Sequence, residues 1–149
     1  MKTSYKYIAI AFATILCSCN EEVTPDMVES QVEISANIIP SVQSRVSEDG
    51  KYFTDVDAIK VQNVNRTTKN HATYTYSESE SKWSITGEDK LYWGVQSENT
   101  FNACYPTTAS YDSFTIPTDQ SSADALAAAD WMTATTTASR NSTVALPFK

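Results

Sequence analysis

The chain has 149 residues, a formal net charge of −7 from 18 acidic and 11 basic side chains, and three cysteines. This length can bury the core of one domain, and the acidic balance argues against nucleic acid as a partner and against electrostatic docking on an anionic membrane. With so few cysteines, no disulfide framework is predicted.

The first 18 residues have the pattern of a lipoprotein signal peptide. Lys2 and Lys6 carry its charge, residues 7–16 form a short apolar run, and the small residue Ser18 precedes Cys19. A cysteine at the first mature position marks lipid attachment, and the run is shorter than the roughly 20 residues of a spanning helix. We predict that Cys19 carries the acyl chains, such as palmitate. The alternative is cleavage without lipid, which would leave Cys19 as an ordinary thiol.

A tether and a first strand are predicted next. Residues 19–30 are polar, acidic and interrupted by Pro25, which suits a flexible tether. From Gln31 onward, apolar and polar residues alternate, and a period of two places one face of a strand in a core. The apolar residues of this predicted strand are Val32, Ile34, Ala36 and Ile38.

Short stretches rich in β-branched and aromatic residues follow, separated by turn sequences around Gly50, Gly87 and Pro106. They are residues 58–64, 72–77, 83–85, 91–95, 100–105, 113–116, 131–138 and 143–148, with a turn at Asn141 and Ser142. The alanine-rich residues 121–130, with Ser121 and Asp124 at a capping spacing, predict a short helical turn. This succession predicts an all-β, antiparallel sandwich.

The sequence contains no arrangement typical of a catalytic or cofactor site. His71 is the only histidine and is interpreted as a solvated hairpin residue, and Cys104 as a half-buried strand residue rather than a nucleophile. The acidic pairs at residues 55 and 57 and at residues 88 and 89 lack the ligand spacing of a calcium loop. We predict no enzyme, no cofactor and no metal site.

The tryptophans allow two interpretations. Trp93 lies in an apolar stretch and is assigned to the core, where a large ring buries much area. Trp83 and Trp131 follow polar residues and could be partly exposed. A glycan-stacking site would need at least two such rings to be coplanar on one face.

Several segments in succession resemble the fimbrillin family of Bacteroidales, the subunits of lipoprotein-derived surface fimbriae. They are residues 32–36, 44–46, 53, 57–61, 83, 91–93, 101–106, 119–120, 130–134 and 144–149. The resemblance implies two transthyretin-like β-sandwich domains, of which residues 31–149 form the N-terminal one. Because the chain stops within the apolar alternation of residues 143–148, we expect that it is cut short and that the second domain is missing.

The resemblance also implies a mechanism. Family subunits are exported as lipidated precursors and cut after an arginine, for which Arg45 is the matching residue; the strand at residues 32–39 is then lost and replaced by a strand of another subunit. Arg66 and Arg140 also lie in turn-like sequences and compete with Arg45, which could equally be an ordinary surface arginine. Glu21 and Glu22 resemble a signal for export to the outer face of the outer membrane, or belong simply to a solvated tether.

Two functions follow from these expectations. The first is a structural or anchor subunit of a fimbrium at the cell surface, which serves adhesion and has other subunits as partners. The alternative is a monomeric surface lipoprotein that binds a glycan or a host protein through exposed aromatic residues and keeps its first strand.

Overall fold

The computed structural model describes residues 29–39 and 52–149. These ranges contain seven strands and one helix: β1 (Ile34–Ile38), β2 (Ala58–Asn63), β3 (His71–Ser77), β4 (Lys82–Thr86), β5 (Glu98–Tyr105), α1 (Ala123–Ala128), β6 (Met132–Ser139) and β7 (Val144–Phe148). The predicted all-β class is confirmed, and seven of the nine predicted strands and the helical turn are found at their expected places.

Two sheets enclose the core. The larger sheet is antiparallel, with the strand order β4-β3-β2-β5-β6, and the smaller one consists of β1 and β7. The predicted sandwich is therefore confirmed. One pair departs from the antiparallel expectation, because β1 and β7 run parallel, from the pair Ile34 and Val144 to the pair Ile38 and Phe148.

Alternation along the strands explains why the sheets face each other. In β2 and β7 every second residue is buried, as for Ile59 and Val61 or for Val144, Leu146 and Phe148. A strand with period-two alternation buries one face only, so two such sheets pack with their apolar faces together. The turn at Asn141 and Ser142 is confirmed, since Ser142 donates its backbone N–H and its hydroxyl to the carbonyl of Ser139 at 3.1 and 2.6 Å.

The predicted strand at residues 91–95 is wrong. Only Leu91 and Tyr92 form isolated bridges, to Asn70 and to Gln31. Two buried side chains bond this segment instead: Asn63 Nδ2 donates to the Tyr92 carbonyl at 3.1 Å, and the Gly94 N–H donates to Asn99 Oδ1 at 2.6 Å. Its other backbone hydrogen bonds go to residues 30, 32 and 69 rather than along one partner strand, so its backbone groups are satisfied without a continuous ladder.

The predicted strand at residues 113–116 is also wrong. Ser110 and Ser113 form a closed local turn, in which the Ser110 hydroxyl donates to the Ser113 carbonyl at 2.7 Å and accepts from the Ser113 N–H at 3.0 Å. Such local bonds compete with a sheet ladder for the same backbone groups. β-propensity alone therefore does not make this segment a strand.

Helix α1 connects β5 to β6. Its N-cap is Ser122, whose hydroxyl accepts the Ala125 N–H at 3.1 Å, so the cap lies one residue later than the predicted Ser121. Ser121 instead donates to Asp119 Oδ1 at 2.7 Å. In the two described ranges, no helix is both long and apolar enough to cross a bilayer.

Candidate functional site

Strand β1 is paired along one edge only. Its ladder partner is β7, and the bonds continue at both ends, from Val144 N–H to the Glu33 carbonyl and from Ile39 N–H to the Phe148 carbonyl, both at 2.9 Å. No ladder is found on the opposite edge within the described ranges. Within the described ranges, a single ladder thus joins β1 to the rest of the sandwich.

The side chains of this segment nevertheless form part of the core. Val32, Ile34 and Ile38 are buried and Ala36 packs against the same cluster, whereas Ser35 is exposed on the outer face. Full burial of one aliphatic side chain contributes about 1.5–3 kcal/mol. Three such side chains amount to a large share of the roughly 5–15 kcal/mol that stabilises a domain. The sandwich therefore depends on having some strand in this position.

Two cavities lie beside the N-terminal segment, one next to the residues before β1 and one next to β1 itself. One, of about 240 Å³, is lined by Val32 from the N-terminal segment and by Trp83 and Ile85 of β4. The other, of about 200 Å³, is lined by Ile38, Phe53 and Tyr76. The segment is thus bordered by apolar and aromatic side chains, some of them from β4, and no ladder joins β1 to β4.

An aromatic cluster lies beneath this edge. The Phe53 ring makes edge-to-face contacts with Trp83, Tyr105 and Phe148, at centroid distances of 5.0, 6.2 and 5.4 Å. Edge-to-face pairs add stability beyond the area they bury. Since Phe148 is opposite Ile38 in the ladder, the rings provide a preformed apolar surface for whichever strand occupies this place.

A second attachment precedes β1. The Val32 N–H donates to the Leu91 carbonyl at 3.0 Å, and the Trp93 N–H donates to the Ser30 carbonyl at 3.0 Å. Inside the sandwich, the buried hydroxyl of Tyr74 donates to the Val32 carbonyl at 2.7 Å, and burial raises the pKa of this hydroxyl. Residues 30–32 are therefore bound to the segment at 91–93, separately from the ladder.

The Tyr74 hydroxyl gives a direct test of this attachment. Tyr74→Phe leaves the buried Val32 carbonyl without its donor, so we expect a loss of about 1–2 kcal/mol in the free energy of unfolding and faster amide exchange in β1. Tyr76→Phe is the matched control, since Tyr76 lies two residues along the same strand and its hydroxyl has no hydrogen bond among the described residues. Urea unfolding of both variants provides the comparison, and equal losses would contradict the assignment.

Glu29 anchors the start of the segment through a pair of cations. Its Oε1 accepts from Arg66 Nη2 at 3.0 Å and its Oε2 accepts from Lys69 Nζ at 2.6 Å. Arg66 is only 17% exposed and also donates to the carbonyls of Trp93 and Thr68, at 2.7 and 3.1 Å. We call Arg66, Lys69 and the neighbouring ring of Tyr92 the carboxylate seat; the two cations are 5.8 and 5.3 Å from the ring centre.

The seat makes the N-terminal attachment pH-dependent. Hydrogen bonds from Lys69 and Arg66 hold the pKa of Glu29 below its ordinary value of 4.5. A lowered folded-state pKa means that the contact is fully present above that ordinary value and is lost as the pH falls through the folded-state value. We expect the Trp93 amide, which bonds Ser30, to exchange faster at acid pH, relative to its intrinsic rate. Glu29→Gln should abolish that pH dependence, and its persistence in the variant would contradict the assignment.

The structure brings together the residues of the predicted first strand. Cys19 and Arg45 lie outside the described residues. Among the competing arginines, Arg66 is bound in the carboxylate seat, and the Arg140 N–H, just after β6, donates to the Ser97 carbonyl at 2.8 Å. The roles of Cys19 and Arg45 stay predictions.

The residues to which the sequence analysis assigned no catalytic or metal-binding role are found in turns, loops and the core. His71 is exposed, with Nε2 at 3.4 Å from Asp89 Oδ2. Cys104 is more buried than predicted because the following loop covers it: its Sγ lies 3.6 Å from the Ala109 carbonyl, and burial raises the pKa of the thiol. Asp57 accepts the Thr54 N–H at 2.6 Å, as a turn residue does. No cluster of three or more metal-ligating side chains occurs in the part of the chain that the structure describes.

The tryptophans divide between core and surface. Trp93 is buried as predicted, and Trp83 is buried as well, while Trp131 is 42% exposed. The Trp131 ring stacks on Phe114 at 6.2 Å with an interplanar angle of 25°. No two tryptophan rings therefore form a coplanar exposed face among the described residues.

The carboxylate seat was missed from the sequence. Residues 29 and 30 belong to the polar stretch assigned to a tether, yet Glu29 and Ser30 both contact the sandwich. The partners of Glu29 are 37 and 40 residues away in the chain. No local pattern indicates such a contact.

The fold is similar to the folds of two solved structures. The structure is similar to that of a putative cell adhesion protein from Bacteroides ovatus ATCC 8483, with a TM-score of 0.54 and 18% identity over 80% of this chain and 52% of the other. It is also similar to a fimbrial protein from Bacteroides ovatus ATCC 8483, with a TM-score of 0.53 and 19% identity over 81% of this chain and 28% of the other. The chain thus spans about half of the first protein and less than a third of the second. None of the curated proteins matches it.

These identities are low enough that the two structures support the fold alone. The family comparison is more specific, because the family model described as fimbrillin-like matches the sequence over residues 44–149, well over half of the chain. The predicted resemblance is confirmed, and the chain belongs to the fimbrillin-like family.

Proposed function

We propose that the chain is a structural subunit of a cell-surface fimbria that assembles when β1 is replaced by a strand from a neighbouring subunit. The observation that carries the proposal is that β1 fills the core with apolar side chains and yet, among the residues that the structure describes, has a ladder on one edge only. This arrangement provides both of the parts that strand addition requires: backbone groups to pair and pockets to fill.

In the proposed strand exchange, the incoming strand makes the same kinds of contact that β1 makes in the precursor. Departure of β1 would leave the β7 edge with unpaired N–H and C=O groups beside the pockets of Val32, Ile34 and Ile38. An empty site of this kind is unstable, because several kcal/mol of apolar burial are lost with the strand. An incoming strand with the same alternation would restore them. The resident strand protects the precursor against premature assembly.

Cleavage after Arg45 is the proposed trigger. β1 ends at Ile38 and Phe53 already packs in the core, so the connection between them is the covalent link that retains the strand. Arg45 is the single arginine of residues 40–51. One cut there would turn β1 into a separate segment held by non-covalent contacts only.

The proposed location is the cell surface. Lipid on Cys19 would tether the precursor to the outer membrane, and export to the outer face would bring the chain to its partner subunits. The two similar structures are described as a cell adhesion protein and a fimbrial protein, which agrees with an adhesive role. Such a role requires no catalysis.

The experiment follows the lipidated chain after limited treatment with an arginine-specific protease. We expect one defined cut after Arg45, release of the N-terminal fragment and a ladder of oligomers, read by mass spectrometry and native gels. Arg45→Lys is the control, which should remain monomeric under the same treatment. A chain that stays monomeric, keeps its first strand and binds sugar would favour the glycan-binding alternative.

A further inference from the structure

The carboxylate seat does not depend on Glu29 for its geometry. Arg66 is held by the carbonyls of Trp93 and Thr68, at 2.7 and 3.1 Å, and both of these residues belong to the body of the sandwich. The Tyr92 ring lies beside both cations. The Tyr92 N–H also donates to the Lys69 carbonyl at 3.3 Å, which fixes the turn that carries Lys69. Apart from Glu29, the groups that directly contact Arg66 and Lys69 do not belong to residues 29–39, so we expect the seat to remain formed when those residues leave.

Departure of Glu29 would nevertheless leave two positive charges together. Glu29 is the only carboxylate that forms an ion pair with Arg66 or Lys69 among the described residues. Each of the two cations lies within 6 Å of the same ring centre. Arg66 is mostly shielded from water, so its charge is poorly compensated without an anion. This local charge stands out on a chain whose formal net charge is −7.

The surroundings have room for an incoming group. A cavity of about 330 Å³ adjoins the seat and is lined by Glu29, Arg66, Trp93 and Arg140, among others. A second arginine therefore faces the space beside the first. Guanidinium groups bind carboxylates with directed, charge-assisted hydrogen bonds.

We propose that the carboxylate seat is a recognition site for the incoming strand, which must carry an acidic side chain at the end that reaches residues 91–93. This inference rests on the proposed function and adds a chemical requirement to it. Apolar alternation alone fits any donor strand to the pockets of Val32, Ile34 and Ile38, whereas the acidic group selects among such strands and fixes their register. A donor that lacks the acid leaves both cations unpaired, which discriminates against it.

The test uses the full chain cut between residues 40 and 51, after Arg45 or at an inserted protease sequence. A fluorescent peptide with the sequence of residues 29–39 competes with the resident fragment, and its binding is measured by anisotropy. Three peptides are compared: the native sequence, Glu29→Gln, and Glu33→Gln. The last is the matched control, because Glu33 is exposed and makes no ion pair among the described residues, so the charge change is the same at a position outside the seat.

We expect the Glu29→Gln peptide to bind about three- to fivefold more weakly than the native peptide at low salt, and the Glu33→Gln peptide to bind nearly as well as the native one. The difference should shrink at 0.5 M salt, since the pair is partly exposed. It should also disappear when the cut chain carries Lys69→Met together with Arg66→Gln. The single Lys69→Met variant should reduce it even if the double variant does not fold.

The outcomes separate the two proposals. Equal binding of all three peptides would overturn the acidic requirement and leave strand exchange standing. Equal weakening by Glu29→Gln and Glu33→Gln would also overturn it, because the effect would then come from net charge and not from the seat. If no peptide enters the cut chain, strand exchange itself fails and the acidic requirement fails with it.

Discussion

Ile38→Asp should detach β1 from the sandwich and lower the free energy of unfolding by more than about 3 kcal/mol. Ile38 is buried opposite Phe148, so the substitution removes an apolar side chain and places a carboxylate against the aromatic cluster. An unpaired charge in apolar surroundings is strongly disfavoured, and losses of this size are confined to such events. Near-ultraviolet circular dichroism and urea unfolding measure the effect.

Asn37→Asp is the matched control for this substitution. Residue 37 is adjacent, lies on the exposed face of the same strand and receives the same charge. Because successive strand residues point to opposite faces, its substitution should change stability by no more than about 0.5 kcal/mol. Similar losses at both positions would mean that β1 does not have the alternation described above.

Asn99→Ala should cost about 2–4 kcal/mol and release the segment at residues 91–95. Asn99 is fully buried, and its Oδ1 accepts from Asn63 Nδ2 at 2.8 Å and from the Gly94 N–H at 2.6 Å. The substitution leaves the Gly94 N–H without its acceptor and removes one of the two hydrogen bonds of Asn63 Nδ2, which keeps only its bond to the Tyr92 carbonyl among the described residues. Each unsatisfied buried group costs about 1–3 kcal/mol. Since this segment bonds residues 30–32, β1 should also become more mobile.

Asn102→Ala provides the comparison on the same strand. Asn102 accepts one exposed hydrogen bond from Thr135 Oγ1 at 3.0 Å, so its loss should cost less than about 1 kcal/mol. Thermal unfolding measures the difference, and hydrogen exchange at Leu91 and Trp93 reports the segment itself. A loss at Asn99 no larger than that at Asn102 would contradict the role of the buried pair.

The sequence patterns predicted which face of a strand is buried better than they predicted which strands pair with each other. The alternation at residues 32–38 correctly indicates which side chains are buried, because a period of two follows from strand geometry alone. It contains no information on the partner strand, and the parallel pairing of β1 with β7 depends on residues more than 100 positions away. The family resemblance came from a succession of short segments, each of them weak alone.

Several of the misses share one physical cause, which is contact between residues far apart in the sequence. In the segment at residues 91–95 and in the carboxylate seat, side chains bond to distant backbone or to distant charges. Asn63, Asn99 and Arg66 are ordinary polar residues in the sequence, and only the fold shows that two of them are fully buried. The burial of Trp83 was missed for the same reason, since the polar residues before it indicate exposure while the aromatic cluster encloses it.

Native-state hydrogen exchange on the intact chain tests most directly whether β1 is a replaceable unit. Local openings that precede global unfolding identify elements that can detach alone. We expect the amides of Ile34–Ile38 to exchange together through an opening of lower free energy than that of β2 and β5. We also expect Tyr74→Phe to lower the opening free energy of β1 further. Exchange of β1 only at the free energy of global unfolding, unchanged by Tyr74→Phe, would contradict it.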